Sequence, residues 1–135
     1  MVIWYSPASV IWQTFWLEPV PAASITRLEL TPDLDQQAVQ LLVQGTGITT
    51  HTIEAGVWHS GTLVVSATGS VSSPITLSIP APHLWSPDDP FLYDVQVDLK
   101  LGPTMVDHVS SYFGMRKISL GQMGDYVRPL LNDQF

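Results

Sequence analysis

Between Tyr93 and Leu101 the chain alternates without a break, with Tyr93, Val95, Val97, Leu99 and Leu101 apolar and Asp94, Gln96, Asp98 and Lys100 polar. A period of two sends each set to one face of a pleated strand, so the segment predicts a half-buried β-strand. Ile75, Leu77 and Ile79 alternate with Thr76 and Ser78 in the same way and stop at Pro80, which cannot donate to a ladder. Ile25 to Leu30 and Ala38 to Gln44 predict a strand pair, separated by the polar turn-forming stretch Thr31-Pro-Asp-Leu-Asp-Gln-Gln. Thr50 to Ala55 and Leu63 to Ala67 predict two more strands on either side of Gly56 and Gly61. Val106 to Leu120 is again β-branched and aromatic, but its apolar register slips near Phe113-Gly114-Met115, which a bulge at Gly114 explains. No window shows a helical period. Roughly seven short strands with turn signals every 8 to 12 residues or so predict an all-β fold, an immunoglobulin-like antiparallel β-sandwich.

The two ends depart from this pattern. From Ile11 to Leu17 both alternating faces are apolar, with Trp12 and Trp16 on one and Ile11, Phe15 and Leu17 on the other. A strand of that kind needs cover on both sides. Gln122 to Phe135 contains Gly124 and Pro129 and no clear period, and reads as a linker.

Length and charge narrow the functions open to such a sandwich. At 135 residues, 45% hydrophobic and 13% charged, the chain suits one domain with a core of its own. Twelve acidic against five basic residues give a net charge of −7, which disfavours nucleic acid and anionic membranes as partners. The absence of cysteine removes disulfides, thiolate nucleophiles and thiolate zinc sites, and leaves the redox compartment open. No stretch approaches the roughly 20 apolar residues of a membrane helix, so a soluble chain is expected. Its start, Met1-Val-Ile-Trp-Tyr-Ser-Pro, lacks a basic leader and a long apolar run, so no signal peptide is expected in it and the compartment stays open.

Three segments carry a resemblance. Ser9-Val-Ile-Trp-Gln-Thr-Phe-Trp-Leu-Glu, Leu84-Trp-Ser-Pro-Asp-Asp-Pro-Phe-Leu-Tyr and Ser111-Tyr-Phe-Gly-Met-Arg-Lys-Ile, in this order, resemble motifs of glycoside hydrolase family 2, the β-galactosidases, β-glucuronidases and β-mannosidases. In that family the first closes an N-terminal jelly roll, the second precedes a sandwich strand, and the third runs up to a (β/α)8 catalytic barrel. Arg128-Pro-Leu-Leu-Asn is similar to the lead-in to that barrel. Val10 departs from the pattern, standing where the family usually has glycine, which bears on the backbone there because a β-branched residue tolerates positive φ poorly. The resemblance implies that residues 1–20 are the closing strand of a truncated jelly roll, 21–121 the central sandwich, and 122–135 a linker toward the barrel. Leu84, Trp85, Pro87, Pro90, Tyr93, Phe113, Gly114 and Arg116 are then structural motif residues, and the family's two catalytic glutamates belong to the barrel.

The candidate chemistry within the chain is sparse. Glycoside hydrolysis needs two carboxylates facing one sugar, and Glu18, Glu29 and Glu54 fall on or beside different strands. Asp33 and Asp35 lie in a predicted turn, and Asp88 and Asp89 lie between Pro87 and Pro90, where Asp favours turns. His51, His59, His83 and His108 show no metal-ligand spacing, and Ser60-Gly61 and the other serines sit in no nucleophile elbow. No cofactor or metal is expected.

Trp85 is expected to plug one end of the sandwich. Trp4, Ile11, Trp12, Phe15 and Trp16 form a candidate surface for a neighbouring domain or for self-association, since large apolar groups left in water forfeit roughly 2 to 3 kcal/mol each. The reading that follows is a non-catalytic scaffold in a β-glycosidase, with the jelly roll and barrel as partners. The alternative is a stand-alone carbohydrate-binding sandwich that stacks sugars on Trp4, Trp12, Trp16 or Trp58. An adhesion-type module is disfavoured, because no signal, disulfide, sequon or anchor accompanies it.

Overall fold

The computed structural model describes residues 13–15 and 17–135. Seven strands form two antiparallel sheets: β1 (Ser24–Asp33), β2 (Ala38–Thr46), β3 (Thr52–His59), β4 (Thr62–Ser70), β5 (Ile75–Ser78), β6 (Tyr93–Leu101) and β7 (Thr104–Phe113). One sheet has the order β1-β2-β5 and the other β4-β3-β6-β7, so the chain changes sheets after β2, after β4 and after β5. This is the sandwich that the alternation predicts. Leu41, Val43, Leu77 and Ile79 on one inner face meet Ile53, Val57, Val95, Val97 and Leu99 on the other, and all are essentially sealed from solvent. Burying side chains of this size contributes about 1.5–3 kcal/mol each, which is what holds the two layers together.

The turns follow from local chemistry. Ser60 and Gly61 both have positive φ and join the opposed residues His59 and Thr62, the two-residue geometry that matches strand twist. Gly102-Pro103 joins Leu101 to Thr104 with positive φ at the glycine. β3 runs through Gly56 to His59, further than the expected stop at Ala55.

One expectation is corrected. Strand β7 has its register slip beside Leu99 and Lys100, where Val106 is the extra residue, and it ends at Phe113, so Gly114 marks a strand end rather than a bulge. The stretch that includes the expected linker forms a hairpin: β8 (Ile118–Met123) pairs with β9 (Tyr126–Leu131), closed by Gly124-Asp125. Pro129, opposite Leu120, is tolerated because a two-stranded ribbon leaves each strand with a free edge. Trp4, Ile11, Trp12 and Trp16 lie outside the described residues, as does Val10, while Phe15 is exposed.

Candidate functional site

The motif residues gather at one end of the sandwich. Leu84 bridges Met115 in parallel, and the Trp85 N–H donates to the Met115 carbonyl at 2.9 Å. The Trp85 side chain lies against Gly114, where an added Cβ would stand 3.0–3.1 Å from it, so any larger residue there would push the tryptophan back by a few tenths of an ångström. Arg116 sits over the indole, its Cζ 4.9 Å from the ring centre.

Pro87 and Pro90 bracket a turn in which Asp89 accepts the Ser86 N–H through its carbonyl and donates its own N–H to Ser86 Oγ. Tyr93 stacks on Phe113 and accepts the His83 N–H on its hydroxyl at 2.9 Å. Leu30, Trp85, Leu92, Tyr112 and Arg116 line an open cleft of about 420 Å³ at this end. Trp85 is half-buried, and no ion pair is made by Arg116 among the described residues.

The β8–β9 hairpin adjoins this end through specific bonds. Asn132 Nδ2 donates to the Trp85 carbonyl, Asn132 Oδ1 accepts the Lys117 N–H at 3.0 Å, and the Asn132 N–H donates to the Lys117 carbonyl at 2.8 Å. Lys117 Nζ reaches Asp35 at 2.9 Å and Asp133 at 3.4 Å. The hydrogen bond to Asp35 chiefly holds the Lys117 pKa above the ordinary lysine value.

The acidic candidates do not converge. Glu29 projects from the outer face of the three-stranded sheet beside Arg27, and Glu54 from the outer face of the other sheet, paired with Lys100. Glu18 is exposed and outside any strand. Asp33 makes its turn by accepting the Gln36 N–H, as expected, whereas Asp35 pairs with Lys117. Among the described residues no group of three His, Asp or Glu could hold a metal ion. His51 accepts the Thr49 N–H, His59 lies beside Ser60 Oγ, and His83 pairs with Asp89 at 2.6 Å while stacking on Phe91.

One constellation escaped the sequence reading. On the outer face of the four-stranded sheet, Asp98 stands opposite His108 and Gln96 opposite Ser110. His108 Nδ1 lies 2.5 Å from Asp98 Oδ1, and its Nε2 lies 3.2 Å from Ser110 Oγ. Lys100 draws Glu54 into an ion pair beside them, and that hydrogen bond is the main reason the Lys100 pKa is raised. Ser110 also lines a cavity of about 250 Å³ with Trp58, Gly61, Asp94 and Gln96. The signal available in sequence was His-x-Ser on a strand, a spacing that puts both side chains on one face.

The sequence model of glycosyl hydrolases family 2 matches residues 23–116, more than half of the chain. No curated protein sequence matches it. Among solved structures, β-glucuronidase from Ruminococcus gnavus in complex with D-glucaro-δ-lactam superposes with a TM-score of 0.66 at 19% identity, over 84% of this chain and 19% of that one. The same bacterium's β-glucuronidase in complex with D-glucuronic acid gives 0.63 at 18% identity, over 84% and 19%. The chain thus spans about a fifth of the length of these enzymes.

Proposed function

Because the chain belongs to glycosyl hydrolase family 2, we propose that it serves as the non-catalytic immunoglobulin-like module of a β-glycosidase, holding a sugar-binding jelly roll and a catalytic barrel in register. Placement of that kind matters because a small misalignment of bound sugar and catalytic carboxylates costs a large part of the rate. The observation that carries the reading is the end cleft. The motif residues Trp85, Gly114 and Arg116 build a concave, aromatic surface with an open guanidinium, next to a hairpin whose apolar side chains face solvent. Such a surface suits a neighbouring domain that brings apolar groups and a carboxylate. Hydrolysis of glycosidic bonds then belongs to the parent's barrel, since Glu29 and Glu54 project from different sheets and form no acid–nucleophile pair.

The pure chain is therefore expected to release no nitrophenol from 4-nitrophenyl β-D-glucuronide, β-D-galactoside or β-D-mannoside above a buffer blank. Sustained turnover of any of the three that fractionates with the chain would overturn the proposal.

A further inference from the structure

The Asp98–His108–Ser110 chain has the polarity of an activated nucleophile. A carboxylate only accepts hydrogen bonds, so at 2.5 Å from Asp98 Oδ1 the neutral His108 ring carries its proton on Nδ1. That leaves Nε2 as the acceptor for the Ser110 hydroxyl at 3.2 Å. Base within reach of nucleophile, and base oriented by a third group, is the arrangement that activates serine.

The sheet fixes all three. Asp98 and His108 are directly opposed residues of β6 and β7, and Ser110 follows two residues on, on the same face. Asp107 accepts the His108 N–H on Oδ1 and the Ile25 N–H on Oδ2, which pins the backbone at His108 to the facing sheet. The competing cation, Lys100, is bound to Glu54.

Space and donors adjoin the hydroxyl. Ser110 lines the 250 Å³ cavity with Trp58, Gln96 and Asp94. Gln96 stands opposite Ser110 in the register, and its side-chain amide is a donor for developing negative charge. Trp58 leans across Gly56, where an added Cβ would come within 2.9 Å of the indole Nε1, and so brings an apolar ring and a second N–H donor to this region. Asp94 disfavours anionic substrates in the same cavity.

We propose that Ser110 is a nucleophile for acyl transfer from small uncharged or cationic esters, with His108 as its base and Asp98 as the group that positions the ring. Ser110 Oγ attacks the ester carbonyl carbon while its proton passes to His108 Nε2. The tetrahedral intermediate expels the alcohol, whose oxygen takes that proton back. Water, deprotonated by His108 Nε2, then attacks the acyl carbon, and that proton passes to Ser110 Oγ as its ester bond breaks and the carboxylic acid leaves. This inference goes beyond the scaffold reading, whose lack of catalysis concerns glycosides, since it involves esters and a different face.

The test treats the 135-residue chain with a fluorophosphonate probe and locates the adduct by tandem mass spectrometry, alongside 4-nitrophenyl acetate turnover. One adduct per chain on Ser110 is expected, with none on the S110A variant. H108N is expected to label roughly 100-fold more slowly, the scale of general-base assistance. Circular dichroism confirms that these surface variants keep the fold. No adduct, an adduct on another residue, or acetate turnover unchanged in S110A would overturn the proposal, and none of these results bears on glycoside hydrolysis.

Discussion

The sandwich core and the β8–β9 hairpin are made of similar residues put to opposite use. In the core Leu41, Ile53, Leu77 and Leu99 are sealed between two sheets. In the hairpin Ile118, Leu120, Tyr126 and Val127 are 63–75% exposed, although the strands pair through the full ladder from Ile118 to Leu131. Hydrogen bonding alone therefore does not distinguish the two. A two-stranded ribbon has no second layer to bury its side chains against, and isolated hairpins are marginal in water for that reason. The hairpin is tied to the sandwich through the Asn132 bond to the Trp85 carbonyl and the Lys117 ion pair with Asp35. The difference teaches that the sandwich buries its own apolar content, whereas the hairpin leaves its apolar side chains uncovered, which is what the proposed place between two domains requires.

The same truncation in both regions gives the sharpest contrast. Leu99→Ala is expected to destabilise the chain by about 2–5 kcal/mol, and Leu120→Ala to stay within about 0.5 kcal/mol of the wild type. Urea titration followed by tryptophan emission measures both, and equal losses would erase the distinction. A smaller effect is expected at the junction. Gly114→Ala drives a methyl against Trp85 and should cost about 1–3 kcal/mol, with a change in near-ultraviolet dichroism from the displaced indole.

The least effect is electrostatic. Lys117 has its pKa raised in the folded state by Asp35 and Asp133, so the stability this contributes is complete below the ordinary lysine value of 10.5 and is lost as pH climbs through the higher folded value. Lys100 follows the same sign through Glu54. The melting temperature should fall above about pH 10, less steeply in K117M and least in K100M/K117M. An unchanged slope in the double variant would remove these pairs from the account.

Much of the sandwich was legible because its strands have one wet and one dry face. Tyr93 to Leu101 and Ile75 to Ile79 announce themselves through strict alternation, and the structure buries the predicted apolar set in each apart from Leu101, which is exposed at the end of β6. The hairpin was not legible by that rule, because with both faces in water it keeps no period, and Pro129 argued against a strand. Gly124-Asp125 between two apolar-rich runs was the signal that remained. The motif residues were found by resemblance, and their meeting at one end follows from the bridge between Leu84 and Met115. The Asp98–His108–Ser110 chain was hidden for a different reason. It depends on the register between β6 and β7, and the slip at Val106 shifts any register counted from the Gly102-Pro103 turn by one residue.

Hydrogen–deuterium exchange of the isolated chain, resolved to single strands, tests the central contrast most directly. Amides of β2, β3 and β6 are expected to exchange only through global unfolding, while those of β8 and β9 exchange through local opening at much lower free energy. Protection of the hairpin equal to that of β6 in the monomeric chain would contradict the claim that it awaits a covering partner.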